Sequence, residues 1–233
     1  MKKIKIFADG ADIKTFLSLN KSSKIEGFTT NPSLMKKAGI NNYKDFAQNL
    51  LKKIKKKPIS FEIFADKIKE IEFQAREIAK WGKNVFVKIP IINTKNLSNA
   101  KLIGKLNNEG FKINVTAIFT LKQTKDLLKY LGKKNIIILS VFCGRIADTG
   151  IDPSLEIKKH IILCKNFKNV KILWASVREP FNIIEAERAG CDIITVSPEF
   201  LNKMSLFRKD LTKYSIETVK MFYNDAKKLK YKI

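Results

Sequence analysis

Lys88 stands in NVFVKIP (84–90), a run of β-formers closed by Pro90. Lysine is rarely buried unless it is paired, and the chain's other lysines fall mostly in polar, helix-like or loop contexts. Burial disfavours the ammonium form of a lysine. The neutral amine can attack a carbonyl and form a Schiff base. The protonated imine then withdraws electrons, so a neighbouring carbon–carbon bond can break. Such chemistry needs acid–base groups, and two carboxylates fall in similar runs: Asp9 closes IKIFAD (4–9) and Glu62 lies in ISFEIFA (59–65). The competing reading of Lys88 is a structural lysine that snorkels or is ion-paired.

Other chemistries are poorly supplied. The one histidine, His160, falls in a helix-like segment and reads as a partly exposed helix residue, which argues against a His-ligated metal site or a Ser-His-Asp triad. The three cysteines, Cys143, Cys164 and Cys191, are widely spaced and form no CxxC, so neither a disulfide framework nor a zinc site is expected. No metal and no cofactor is implied. No stretch has the roughly 18 consecutive apolar residues of a membrane span, and Asp9 and Asp12 interrupt any signal-peptide core. A cytoplasmic protein without a membrane partner is the expectation.

The elements that must position Lys88 follow from an alternation. Eight short β-rich runs occur, at 4–9, 27–31, 59–65, 85–90, 112–119, 135–142, 171–176 and 193–198. Longer amphipathic segments lie between them, at 64–82, 96–110, 121–132 and 179–190, and close on Gly82, Gly110, Gly132 and Gly190. Strands alternating with helices imply a parallel sheet, and eight units in 233 residues imply a single (β/α)8 TIM barrel. An open doubly wound sheet is the alternative, but neither GxGxxG nor a P-loop favours it. The barrel is expected over 1–206. Residues 207–233 form a C-terminal helical extension that docks on the barrel or on a neighbouring subunit.

Active sites of such barrels lie at the C-terminal ends of the strands. Asp9, Thr29, Thr30, Asn31, Glu62, Lys88, Asn114 and Thr116 all fall there, and Arg145, Ser176 and Arg178 follow the sixth and seventh runs. Arginine is scarce, only 5 residues, yet two of them sit just past these late strands. Barrel phosphate sites commonly use late loops, so Arg145, Ser176 and Arg178 point to an anionic, phosphorylated substrate. The alternative is a rim salt bridge. The net charge of +24 raises nucleic acid as a partner. The lysines are scattered through every segment, no nucleic-acid-binding signature occurs, and KKIKKK (52–57) reads as a solvated helix end. Nucleic acid is therefore not the expected partner.

GFTTNPSL (27–34), VFVKIP (85–90), INVTAIFT (113–120), FCGRIADTG (142–150) and ILWASVREP (172–180) resemble the motifs of the transaldolase family, most closely its small single-barrel members, which include the fructose 6-phosphate aldolases. The resemblance implies Lys88 as the Schiff-base lysine and Asp9 as the group that moves the C4 hydroxyl proton. It implies Glu62 and Thr116 acting through a water in imine formation and hydrolysis. Asn31 and Asn114 would hold donor hydroxyls, with Thr29 nearby and Ser176 assisting, and Arg145 and Arg178 would bind phosphate. Glu62 and Phe142 are similar to transaldolases, where aldolase-type members are expected to carry Gln and Tyr. Gly10 departs from the family's usual hydroxyl residue, and IINTKN (91–96) lacks the threonine often found after the lysine strand.

The resemblance implies transfer of a dihydroxyacetone unit between sugar phosphates in the pentose phosphate pathway. The transfer runs from sedoheptulose 7-phosphate to glyceraldehyde 3-phosphate and yields erythrose 4-phosphate and fructose 6-phosphate. It also implies a homo-oligomer, pentamer or decamer. Three alternatives are an aldolase releasing free dihydroxyacetone, a basic nucleic-acid-binding barrel and a barrel that has lost activity.

Overall fold

The computed structural model describes residues 3–229. Eight strands lie where the β-rich runs predict: β1 (Lys5–Asp9), β2 (Ile25–Thr29), β3 (Ile59–Glu62), β4 (Val85–Pro90), β5 (Ile113–Ile118), β6 (Ile137–Val141), β7 (Val170–Trp174) and β8 (Ile193–Val196). All neighbours are parallel, and β8 pairs with β1, so the sheet closes in sequence order into the (β/α)8 barrel. The helices are α1 (Ile13–Asn20), α2 (Pro32–Lys37), α3 (Tyr43–Lys53), α4 (Ile68–Ala79), α5 (Ala100–Asn108) and α6 (Leu121–Leu128). They continue as α7 (Cys143–Ala147), α8 (Pro153–Leu163), α9 (Asn182–Ala189), α10 (Pro198–Lys203) and α11 (Leu211–Leu229). No helix among the described residues is long and apolar enough to cross a membrane.

Side chains alternate across each strand. One set, with Ala8, Ile89, Val115 and Leu139, packs against the helices. The other faces the barrel interior, where Phe7, Ile138, Leu173 and Ile193 cluster with Phe86. Gly27 belongs to this interior set, and a Cβ there would come 2.6 Å from the Phe7 ring. Its missing side chain lets one aromatic plug the lower barrel.

Helix starts are set by short polar side chains. Asp12 accepts from the Thr15 amide at 2.7 Å, and Asn31 caps α2 just before Pro32. Gly110 and Gly190 have φ of 100° and 91°, the left-handed stops expected of them. Gly82 and Gly132 do not take that conformation. A Cβ on Gly132 would approach Asn108 Oδ1 to 2.6 Å, so closeness to α5 accounts for that glycine.

Two expectations are corrected. His160 is fully buried, not partly exposed. Ile157 and His160 share the inner face of α8, while Leu155 and Ile162 point outward. Thr124 of α6 meets His160 Nδ1 at 2.8 Å, which satisfies one ring nitrogen, while Nε2 is buried without a partner among the described residues. Desolvation pushes the imidazole down to about 4. The run 52–57 is also not all solvated: Lys57 Nζ donates to the carbonyls of Asn20 and Ser22 at 2.7 and 2.8 Å. Beyond the barrel, no residue of α11 is buried, and Val219 and Phe222 are 63% and 62% exposed.

Candidate active site

The C-terminal ends of the strands enclose a cavity of about 490 Å³. Asp9, Thr29, Glu62, Lys88 and Thr116 line its base, from β1 to β5. Asn31, Phe142, Arg145, Ser176 and Arg178 line its upper wall. The residues predicted at the strand ends are thus brought to one cavity, except Asn114 and Thr30, which do not line it. Parallel pairing explains the base, since Glu62 is in register with Lys88 and Lys88 with Asn114. Strand closure then brings Asp9 to the same level across the interior.

Lys88 is 7% exposed. Its Nζ lies 3.1 Å from Glu62 Oε2 and donates to the Thr30 carbonyl at 3.3 Å. The alternative of an ion-paired lysine is therefore partly met, but the partner is the carboxylate that acid–base chemistry would use. Asp9 accepts from Thr29 Oγ1 at 2.7 Å. Burial pushes the Asp9 carboxyl above its ordinary value; Lys88 and the Thr29 hydrogen bond oppose this, and the Glu62 charge adds to it. Thr116 lines the cavity, and its Oγ1 is buried without a hydrogen-bond partner among the described residues.

Asn114, in register with Lys88, is fully buried and does not line the cavity. Its Nδ2 donates to Ser60 Oγ at 3.0 Å and its Oδ1 accepts from Ser140 Oγ at 2.7 Å. Of these two serines, Ser140 lines the cavity. Thr195 of β8 lines it too, and its hydroxyl meets that of Thr29. The sequence reading singled out neither residue. Strand parity could have found both: Ser140 lies two residues before Phe142, and Thr195 two after the interior Ile193.

The upper wall is built differently. Arg145 follows β6 in the short helix α7, with its guanidinium 5.3 Å from the Phe142 ring centroid. A Cβ on Gly144 would fall 1.5 Å from the Ser176 carbonyl, so only glycine lets α7 seat on the end of β7. Ser176 has φ 64°, and Ala117, after Thr116, has φ 57°. Both are non-glycine residues in left-handed conformation on the cavity wall, where backbone strain marks functional sites. Arg178 forms a two-pronged ion pair with Asp148, its Nε donating to Oδ1 at 3.1 Å and its Nη2 to Oδ2. A rim salt bridge is thus present, yet Arg178 still lines the cavity. Gly10, the departure after Asp9, also has a local reason: a Cβ there would lie 3.0 Å from Phe16.

Residues 6–233 match the transaldolase/fructose-6-phosphate aldolase family. A probable transaldolase of Caldicellulosiruptor saccharolyticus is 37% identical over 218 residues, covering 92% of this chain and 94% of the relative. One of Nitrosopumilus maritimus is 34% identical over 229 residues, 97% of this chain and 96% of the relative. Another, of Dehalococcoides mccartyi, is 34% identical over 202 residues, 86% and 90% of the two chains.

Proposed function

The chain belongs to the transaldolase/fructose-6-phosphate aldolase family, whose enzymes transfer aldehyde or ketone residues, and we propose that it does so through a Schiff base on Lys88. The match favours this over the nucleic-acid-binding reading. The observation that carries the proposal is the nearly buried Lys88–Glu62 pair at 3.1 Å, with Asp9 on the same cavity wall.

In this reading Glu62 takes a proton from the Lys88 ammonium, and the neutral amine attacks the ketose C2 carbonyl. Glu62 returns the proton to the carbinolamine hydroxyl, the C2–O bond breaks and that hydroxyl leaves as water, with Thr116 holding the water concerned, and a protonated imine forms. Asp9 accepts the C4 hydroxyl proton, the C3–C4 bond breaks, and its electron pair moves into the imine to give an enamine. The aldose leaves as an aldehyde. The enamine attacks the acceptor aldehyde, Asp9 returns its proton, and water hydrolyses the new imine. Asn31 would hold donor hydroxyls, with Asn114 acting through Ser140, which lines the cavity. Arg145, Ser176 and Arg178 would take the phosphate.

The proposed reaction transfers a dihydroxyacetone unit from sedoheptulose 7-phosphate to glyceraldehyde 3-phosphate in the cytoplasmic pentose phosphate pathway. Borohydride trapping with fructose 6-phosphate, read by peptide mass mapping, tests the imine. The expected product is a reduced three-carbon adduct on Lys88. A folded sample with no adduct, or an adduct on another lysine, defeats the mechanism. Turnover with and without erythrose 4-phosphate then separates transfer from release of free dihydroxyacetone. We further propose that the exposed apolar residues of α11, Val219 and Phe222 among them, dock on a second copy in a pentamer or decamer. A monomer by light scattering at micromolar concentration would remove that part.

A further inference from the structure

Thr29 and Thr195 face each other across β1, from β2 and β8. Thr29 is 2% and Thr195 7% exposed. Thr29 Oγ1 donates to Asp9 Oδ1 at 2.7 Å and also contacts Thr195 Oγ1. Below them the Phe7 ring fills the space left by Gly27. Among the described residues Asp9 Oδ2 accepts no hydrogen bond, and it is the oxygen left for a ligand.

A hydroxyl has one proton. An ionised carboxylate can only accept, so the Thr29 proton is committed to Asp9. Thr29 must then accept from Thr195, which fixes the polarity of the whole chain. We propose that Thr195 is a positioning residue: its hydroxyl donates to Thr29, holds the Thr29 O–H on Asp9 Oδ1, and keeps Oδ2 free for the sugar hydroxyl. This rests on the role of Asp9 proposed above. A hydroxyl that accepts from one neighbour donates more strongly to the next, so the chain favours ionised Asp9. Glu62 from β3 and Lys88 from β4 also act on Asp9, with opposite signs, and Thr195 works against the background they set.

The test is kcat/KM against pH for Thr195→Val, with fructose 6-phosphate as donor. Valine keeps the β-branched shape and deletes only the hydroxyl's bond. A loss of about tenfold is expected, with the acid limb moved up by about half a pH unit. Thr195→Ser, which keeps the donor, should restore both. In a Thr29→Val background, Thr195→Val should add no further loss, because Thr195 acts only through Thr29. An unchanged profile in Thr195→Val overturns the proposal. So does a loss that serine does not rescue, or one that persists undiminished without the Thr29 hydroxyl. Asp9→Asn, measured alongside, keeps the two readings apart. If it turns over normally, the Asp9 role itself fails; if it loses about 100-fold or more while Thr195→Val is silent, only the Thr195 proposal fails.

Discussion

The base and the upper wall of the cavity reach the same ligand space by different construction. The base is strand-borne: Asp9, Glu62, Lys88 and Thr116 project inward from a hydrogen-bonded barrel, and Lys88 is almost fully buried. The wall is loop-borne: Arg145, Ser176 and Arg178 follow the ends of β6 and β7, and both arginines are exposed. Buried groups in fixed register suit bond-making and proton transfer, where small displacements are costly. Exposed guanidiniums on shorter supports suit recognition of a charged group. Substitutions in the base are therefore expected to act on kcat and those in the wall on KM.

Lys88→Arg is the sharpest way to break that division. A guanidinium forms no imine, so kcat should fall by about 10⁴-fold or more, with the melting temperature held within a few degrees. Multiple turnover by this variant at a detectable rate would sink the base's assigned role.

Gly144→Ala attacks the joint between the two parts. The new Cβ would fall 1.5 Å from the Ser176 carbonyl. Relief requires α7 to lift off β7, at a cost of about 2–4 kcal/mol. Chemical denaturation should show that loss, and KM for phosphorylated sugars should rise. Wild-type stability would mean that the joint is looser than its geometry.

Acid sharpens the comparison because it acts on two unrelated groups. The Asp9 carboxyl is raised by burial, so activity should fall on acidification sooner than an ordinary aspartate would cause. His160, outside the cavity, is depressed to about 4 from an ordinary 6.5. Between those values the unfolded chain binds the extra proton, so stability rises with pH across the window and is lost as pH falls through it. The loss can reach about 3 kcal/mol at the acid end. His160→Gln should flatten stability across that range and leave the acid limb of kcat in place. A shifted limb would mean that the rate reports unfolding and not Asp9.

The smallest expected effect is on the wall. Arg178→Ala should raise KM for phosphorylated sugars about tenfold with kcat changed by no more than a few-fold. An unchanged KM removes Arg178 from the phosphate site and leaves its ion pair with Asp148 as a purely structural contact.

Much of this was legible from the chain. The eight strands could be read because buried parallel strands carry dense runs of β-formers, and Lys88 stood out because such a run has no ordinary use for a lysine. His160 was misread because burial of one face of α8 depends on α6 and on a hydroxyl at Thr124, far away in sequence. Asn114 looked like a cavity residue, but its amide is taken up by Ser60 of β3 and Ser140 of β6 and it is fully buried.

The sequence by itself determined the barrel, the order of its strands and the types of side chain at their C-terminal ends. Local periodicity and composition carry those. The tertiary structure decided the pairings: Glu62 with Lys88, Thr195 with Thr29 and Asp9, Gly144 beneath Ser176. Each joins residues on separate strands or loops, and only closure of the sheet on itself sets those distances. A linear pattern can place a side chain on an inner face, but the register between strands chooses its neighbour.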